Sequence, residues 1–528
     1  MGFISMKWNG DERDLCTQPA EVAALLKDAS QPVLAVRCQD GCIGYTYQVK
    51  IFPLSEGENS NLLAMIPPTR EAYFGDPGFL REYGVCAAYY AGAMANGIAS
   101  EAMVIALGQA GFMGSFGAGG LSPARIEQAI QRIQAALPQG PYAFNLLHNP
   151  YEPSIERAAV ELYLKYSVRV VEAAAYVLPS DSLVLYRAAG LRRTASGAIE
   201  ISNRVIAKVS RREVAQKFMS PAPAVALKRL LAAGLISEEQ AVMAAQVPLA
   251  DDLSVEADSG GHTDNRPLVC LLPSMIALRN EMQAQYNYPT LVRIGIGGGI
   301  GTPEAMLAAY QMGAAYVFTG SINHASVEAA TSAFTKQQLA QAAMTDVVMA
   351  PSADMFEMGV QVQVLKRGTM YAMRARKLYE LYTTYNSLDD LPVKDRETLE
   401  QQVFKRPLTQ VWADTREFFL KRDPSQVEKA EQDPHKLMAL VFRWYLGLAS
   451  RWSCNGEPGR ESDYQVWCGP SMGAFNDWVR GSRLETLENR SVVAMAEALL
   501  QGCVYRYRLQ SLRAQGMVMD AVLDVYRP

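Results

Sequence analysis

Apolar and polar positions follow two different rhythms along the chain. From about residue 84 to 330, short apolar runs alternate with stretches of helical period about ten to twenty residues long. The runs are VCAAYYAGAM, GFMGSFG, YAFNLL, VRVVEAAAY, RVIAKVS, LSVEADSGG, LVRIGIGGGIG and AAYVFTGS. They are too short, and too closely bounded by Gly, Pro and Asn, to be buried helices, so they predict parallel strands. Between them, PARIEQAIQRIQAALP and PEAMLAAYQMG have helical period, with Pro123 and Pro303 near their first turns. The stretch PSDSLVLYRAAGLRR reads as a helix capped by Ser180 or Asp181. Eight βα units in about 250 residues predict an α/β fold of the closed (β/α)8 TIM barrel type, with an open doubly wound sheet as the alternative. No repeat of solenoid period is present.

The flanks differ. Residues 1–80 predict a strand-containing preamble, in which PVLAVRCQDGCIGYTYQV is broken at the turn residues Asp40 and Gly41. Residues 81–335 form the predicted barrel. Beyond about 330 the strand signal fades, and TKQQLAQAAM, DRETLEQQVF, PHKLMALVFRWYLGLASRW and NRSVVAMAEALLQGCVYRYRLQSL read as helices. Residues 336–528 therefore predict a mostly helical second domain, a substrate-binding or cap domain.

Composition narrows the class. The 528 residues are 49% hydrophobic and 20% charged, which suits a packed enzyme rather than a disordered chain. A net charge of -4 from 50 basic and 54 acidic residues argues against nucleic acid as a partner. No apolar run reaches the roughly eighteen residues of a membrane span, so no membrane partner is expected. MGFISMKWNGDERD does not read as a secretory signal, and Met6 stands where myristoylation requires Ser or Thr. Eight scattered cysteines and four histidines do not form a zinc framework, and the CQDGC pair (Cys38, Cys42) has no partner cluster. A soluble, reduced, cytoplasmic protein without a metal is the expectation.

Ligands of a parallel barrel bind at the C-terminal ends of its strands. There LVRIGI runs into GGGIGTPEAML, where Gly297, Gly298 and Gly299 lack Cβ atoms and Thr302–Pro303 open a helix whose N–H groups face an anion. The next strand ends in Thr319, Gly320 and Ser321, a second turn rich in donors. Adjacent turns of this kind after strands seven and eight are the usual barrel phosphate site; tight turns without a ligand are the alternative. GIGGGIG is not read as a dinucleotide fingerprint, because it comes late and no acidic ribose partner follows at the expected distance.

AGAMANGIAS (91–100), FNLLHNP (144–150), NRVIAKVS (203–210), VEADSGGHTDNRP (255–267), RIGIGGGIGTPEA (293–305) and VFTGSI (317–322) follow in this order. Together they resemble the FMN-dependent barrel flavoproteins that include nitronate monooxygenases and bacterial FMN enoyl-acyl-carrier-protein reductases. TDVVMAPSADMFEMGVQVQVLKRGTMYAMRARKLYELY (345–382) and YQVWCGPSMGAFNDWV (464–479) are similar to the PfaD-type trans-acting enoyl reductases of polyketide and polyunsaturated fatty acid synthases. The resemblance runs from about residue 65 onward. It implies FMN as cofactor and NADPH as reductant, with hydride passing through the flavin to the β-carbon of a 2-enoyl thioester. The implied partner is an acyl carrier protein presenting the enoyl group on phosphopantetheine; a homodimer is left open.

The same resemblance assigns residues. Ala93, Met94 and Asn96 match the loop under the flavin ring, and Asn145 matches an Asn that hydrogen-bonds it. Lys208 matches a catalytic Lys whose charge stabilises an anionic ring, and His262, after Gly260 and Gly261, matches the active-site His and proton source. Gly297, Gly298, Gly299, Thr319, Gly320 and Ser321 form the implied phosphate cradle. Glu256, Gly260 and Gly261 are likewise expected to bind the cofactor, the two glycines by allowing close backbone approach. Where nitronate enzymes carry Gln-Gly, this chain has Val255 and Glu256, which points away from the monooxygenase and leaves the partner of Glu256 open.

Other readings stay open. Lys208 lies in an apolar strand and needs an anionic partner, which flavin or phosphate would supply, or else it snorkels at a strand end. His148 either faces the site or does not, and His324 and His435 are expected at the surface or at helix ends. Lys366, Arg367, Arg374, Arg376 and Lys377 form a solvated helix face, a carrier-docking face or a clamp for the NADPH 2′-phosphate. Trp467, Phe475 and Trp478 are core residues or an acyl-pocket lining. Rival functions are a nitronate-type flavin oxidase, a silent synthase-associated scaffold, and a flavin-free phosphate-binding isomerase.

Overall fold

The structure, a computed structural model, describes residues 6–56, 58–148 and 153–528. The first five residues of the N-terminal stretch and the last two of FNLLHNP lie outside them. Eight strands close one parallel barrel: β1 (Tyr89–Ala91), β2 (Met113–Phe116), β3 (Ala143–Leu147), β4 (Val170–Ala174), β5 (Arg204–Val209), β6 (Asp252–Glu256), β7 (Arg293–Gly297) and β8 (Val317–Thr319). These are the eight predicted runs in order. The open-sheet alternative is excluded, because β8 pairs with β1 through Val317↔Tyr89, Phe318↔Tyr90 and Thr319↔Ala91. The runs read as continuously apolar because each strand is covered on both faces; Leu253, Val255, Ile294 and Ile296 are all buried. Ser122, Ser180 and Thr302 cap the helices that follow β2, β4 and β7, each accepting from the N–H three residues on. Ser180, rather than Asp181, is therefore the cap.

The helix that completes the outer ring comes from far along the chain. After β7 runs α1 (Pro303–Gln311). Among the helices that follow β8 are α2 (Tyr371–Thr384), α3 (Leu408–Arg422), α4 (Pro424–Gln432), α5 (Pro434–Asn455) and α6 (Val492–Ala514). Of these, α6 packs against α1 and against the Glu101–Gln109 helix that follows β1, filling the gap between the last and first units. The N-terminal sheet of Val33–Arg37, Ile43–Thr46 and Leu62–Ile66 shares a core with Tyr505, Leu509 and Leu512 on the other side of α6.

The mostly helical C-terminal third also holds two strands that the sequence reading does not single out, β9 (Val347–Pro351) and β10 (Gln361–Leu365). β10 pairs with β9 on one side and with Gly261–His262 on the other, through Gly261↔Gln363 and His262↔Val362. Both strands are five residues long, and Gln361 and Gln363 interrupt the apolar run, so no long signal announces them. The buried Gln363 donates to the Asp258 carboxylate and the Ser259 carbonyl, tying down the loop that carries His262. Among the described residues, no helix is long and apolar enough to cross a membrane.

Candidate active site

Two cavities adjoin at the C-terminal ends of the barrel strands. The larger is about 330 Å³ and the smaller about 70 Å³. Ala93, Met94, Lys208, Glu256, Gly260 and Trp467 border both, so the two are chambers of one site. Asn96, Asn145, Gly261 and His262 line only the larger chamber. Gly298, Thr319, Gly320 and Ser321 line only the smaller. Gly297 and Gly299 line neither; a Cβ on Gly297 would strike the Phe318 ring at 2.4 Å, so that glycine serves packing within the barrel.

Lys208 finds its anion within the protein. Its ammonium lies 3.1 Å from Glu256, which also settles the partner of Glu256. Burial works against the Lys208 charge, but Glu256 and Glu172 outweigh it and hold the amine above its usual range. Glu172, on β4, is fully buried, accepts from the Ala93 N–H at 2.8 Å, and was not singled out in the sequence. It sits in an apolar run, VVEAA, where a lone acid is the one available signal. The Asn145 side chain donates to the Glu172 carbonyl, and Asn96, in the left-handed region at φ 59°, donates to Ser450 of α5.

His262 is held from both sides of the chain. Its backbone pairs with β10, and its Nε2 lies 3.3 Å from Asp354 and 3.2 Å from the Ser352 hydroxyl. Ser352 in turn donates to Asp354. Removal from water works against the imidazolium, but the hydrogen bond and charge of Asp354, together with Glu256, outweigh it and raise the pKa. Burial likewise pushes Asp354 up, and the pull of His262 and Ser352 carries it well below the usual carboxylate range. Asp354 lies in a loop 92 positions beyond His262, so no local spacing connects the two.

The smaller chamber has room for a group the size of a few waters, such as a phosphate. Gly298 has φ 81°, and a Cβ there would lie 2.7 Å from the Ala257 backbone, so the turn itself demands glycine. Gly320 differs: a Cβ would meet no atom within 4 Å, leaving that space to the chamber. Two buried polar atoms on the chamber wall, Ser259 Oγ and His324 Nε2, have no hydrogen-bond partner among the described residues. Orphaned groups of this kind need a partner. A phosphate oxygen suits the Ser259 hydroxyl, and it suits His324 Nε2 once the imidazole is protonated, because the Nδ1 hydrogen is given to the Trp467 carbonyl. The Thr319 hydroxyl is already engaged by Tyr89 and Asn323, and Ser321 accepts from the Gly469 N–H.

His324 corrects the surface expectation. It follows β8 in a short 3₁₀ turn, is buried, and hydrogen-bonds the Trp467 carbonyl through Nδ1. Removal from water pushes its pKa down to about 4. The burial comes from the Trp467 segment folding over β8, a contact between positions 143 apart. His148 lines neither chamber; it bonds Glu156 at 2.7 Å and stacks on Tyr176. His435 lies at the start of α5, bonded to the Tyr382 carbonyl, as a helix-end residue.

The basic run on α2 separates into single contacts. Arg374 pairs with the buried Asp463, which also accepts from Tyr445 and Arg460. Arg376 donates to the Met349 carbonyl, and Lys377 lies near Glu380 and Asp395. A docking face that includes Arg374 is therefore set aside, because its charge is spent inside the fold. Trp467 lines both chambers, whereas Phe475 is core and Trp478 donates to the Tyr526 carbonyl.

The barrel with a two-chamber site at its strand ends defines a class, and known proteins define it further. The enoyl reductase domain of MlnA, from the macrolactin biosynthesis cluster of Bacillus amyloliquefaciens, superposes with a TM-score of 0.80 at 40% identity, covering 84% of this chain and 100% of that domain. The chain belongs to this family of enoyl reductase domains of polyketide and polyunsaturated fatty acid synthases. It is 47% identical over 461 residues to a component of the polyunsaturated fatty acid synthase of Thraustochytrium sp. (strain ATCC 26185 / S-3), and 44% identical over 441 residues to polyketide biosynthesis protein PksE of Bacillus subtilis (strain 168). These matches cover 86% and 83% of this chain but 31% and 57% of the two relatives, so the chain spans only part of each. Residues 385–464 also match the model of the inserted helical domain of [acyl-carrier-protein] S-malonyltransferase.

Proposed function

We propose that the chain is an FMN-dependent, NADPH-driven reductase of 2-enoyl thioesters tethered to an acyl carrier protein, acting in trans in polyketide or polyunsaturated fatty acid synthesis. The observation that carries this reading is the continuity of the two chambers: a phosphate-sized end with orphaned polar atoms opens directly onto a cavity holding His262, Lys208 and Asn145. The kinship with a polyketide enoyl reductase domain supports the reaction class.

When bound, FMN supplies two-electron transfer from NADPH to the β-carbon of the substrate. Gly320, Ser259 and His324 would hold its phosphate, and Asn145 and Met94 would flank its ring system. Lys208, kept charged by Glu256 and Glu172, places a positive group where negative charge gathers. Reduction at the β-carbon leaves a thioester enolate that needs a proton at its α-carbon. His262 supplies that proton, since Asp354 keeps the imidazole protonated to higher pH than a free histidine. The Ser352 hydroxyl and pairing with β10 fix the ring direction.

The test is the visible spectrum of the purified protein, followed by anaerobic NADPH titration and addition of crotonyl thioester. A flavin spectrum bleached by NADPH and restored by the thioester is the expected result. A colourless protein that FMN cannot reconstitute overturns the cofactor, and nitronate-dependent oxygen uptake without thioester reduction overturns the substrate.

A further inference from the structure

A second cavity of about 370 Å³ opens among the helices that follow the barrel. Its walls come from α3, the start of α4, and α5: Thr415, Phe418, Phe419, Leu440, Trp444 and Leu448. Its deep end is formed by Ala353, Asp354 and Gly447, and the same three residues line the larger chamber that holds His262. The two spaces therefore meet at a wall made of one alanine, one glycine and the carboxylate that touches His262.

Gly447 has no packing reason to be glycine. It lies inside α5, a helix of 22 residues, where alanine would favour the helix. A Cβ there would meet no atom within 4 Å. The missing side chain leaves the space beside this shared wall unfilled. Arg443 donates to the Ala353 carbonyl at 2.9 Å and holds the opposite side of that boundary in place.

The outer end of the cavity is exposed and basic. Phe418 is 44% exposed, with the Arg422 guanidinium over its ring, and the exposed Arg451 lies on the same wall. Two acids share this end, Asp414, which pairs with Arg406 at 2.6 Å, and Asp423, which accepts from Ser425 and Gln426; Arg406, Arg422 and Arg451 outnumber them. Basic mouth, apolar walls and a narrow polar end suit a linear amphipathic chain with an anion at its outer end.

We propose that this cavity is the entrance for the phosphopantetheine arm. The arm's phosphate lies at Arg451, its pantetheine along Phe418 and Trp444, and its thioester passes Gly447 and Asp354 to His262. The assignment rests on the carrier-tethered reading above. It puts the entry path in the segment that matches the S-malonyltransferase helical insertion, residues 385–464.

Binding is tested apart from turnover. The probes are 4′-phosphopantetheine and pantetheine, which lacks the phosphate, followed by the fluorescence of Trp444 with Trp444→Phe as control. At low salt, phosphopantetheine should quench with a Kd at least tenfold below that of pantetheine. In Arg451→Glu the two should converge to within about twofold. Equal affinities in the wild type, or no quenching by either, overturn the proposal. So does a response that follows the acyl length of N-acetylcysteamine thioesters and ignores the phosphate, which makes the cavity an acyl-tail pocket.

Passage is tested with Gly447→Leu, using Gly447→Ala as the folding control. Turnover of crotonyl-phosphopantetheine should fall at least tenfold in the leucine variant, while its Kd for phosphopantetheine stays within about threefold. Undiminished turnover overturns the connection between the cavities. If the arm binds as described but no enoyl thioester is ever reduced, the reductase reading falls and the entrance stands.

Discussion

Asp354 lies 3.3 Å from Nε2 of His262, although the two residues stand 92 positions apart in the chain. His262 belongs to the loop after β6, whereas Asp354 follows β9 in the segment inserted after β8. The pair couples the charge state of His262, the proposed proton donor, to the positioning of the segment that follows β8.

A pH prediction follows with its sign. Asp354 raises the His262 pKa, so the imidazole keeps its proton to higher pH than it would alone. The other groups around it are Glu256, which also raises the pKa, and Lys208, which lowers it. Asp354→Asn removes the largest raising influence, and the alkaline limb of enoyl reduction should move to lower pH. At pH 8 the variant should reduce crotonyl thioester clearly more slowly than the wild type. Reduction of the flavin by NADPH, measured separately, should change much less. Superimposable pH profiles for the enoyl half-reaction would show that Asp354 does not set the protonation of His262.

The phosphate chamber has a clean probe in Gly320. Valine at Gly298 would strain the left-handed backbone and strike Ala257, so loss of cofactor there would not separate site from fold. Gly320 has φ −132° and open space above it, so Gly320→Val should fold with a near-normal Tm while filling the chamber. The expected result is protein purified with strongly depleted flavin. Normal flavin content would place the phosphate outside this chamber.

The barrel was legible because each strand is buried on both faces and each following helix announces itself with Ser, Thr or Pro at its start. Most of the candidate site residues read from the sequence line the two chambers, for a reason visible in Lys208, Asn145 and His262: each lies near the end of a barrel strand or follows one, where ligands must bind. What stayed hidden depends on contacts between distant positions. His324 becomes a chamber residue only when the Trp467 segment covers it, and Asp354 becomes a partner only through the pairing of β10 with Gly261–His262. Helix α6 illustrates the same limit, since periodicity gives its length and not its place beside α1.

Asp463 offers a stability test that also settles the role of the basic run. It is fully buried and gathers Arg374, Arg460, Tyr445 and, at 3.5 Å, Lys405. Asp463→Ala leaves two largely buried guanidinium groups without their carboxylate, which should cost about 3–5 kcal/mol. Thermal denaturation should show this as a clear fall in Tm. Lys377→Glu, in an exposed pair, should stay within about 1 kcal/mol of wild type. A stable Asp463→Ala protein would return Arg374 to the list of solvent-facing charges.

His324 should leave its own mark on the acid side. Burial holds its folded pKa at about 4, whereas an unfolded chain gives about 6.5. Between these values the unfolded state binds a proton that the folded state refuses, so stability falls as the pH drops. The full effect is about 3 kcal/mol, developed between pH 6.5 and 4. His324→Leu lacks this penalty, so its Tm should gain on that of the wild type by a few degrees as the pH falls from about 6.5 to about 4.5. Inorganic phosphate should narrow the gap, because a charged His324 would then gain the anion proposed for the chamber. If the two Tm curves run parallel through this range, His324 titrates normally and its imidazole is open to water. A gap that phosphate leaves untouched would mean that the buried Nε2 faces something other than the anion site.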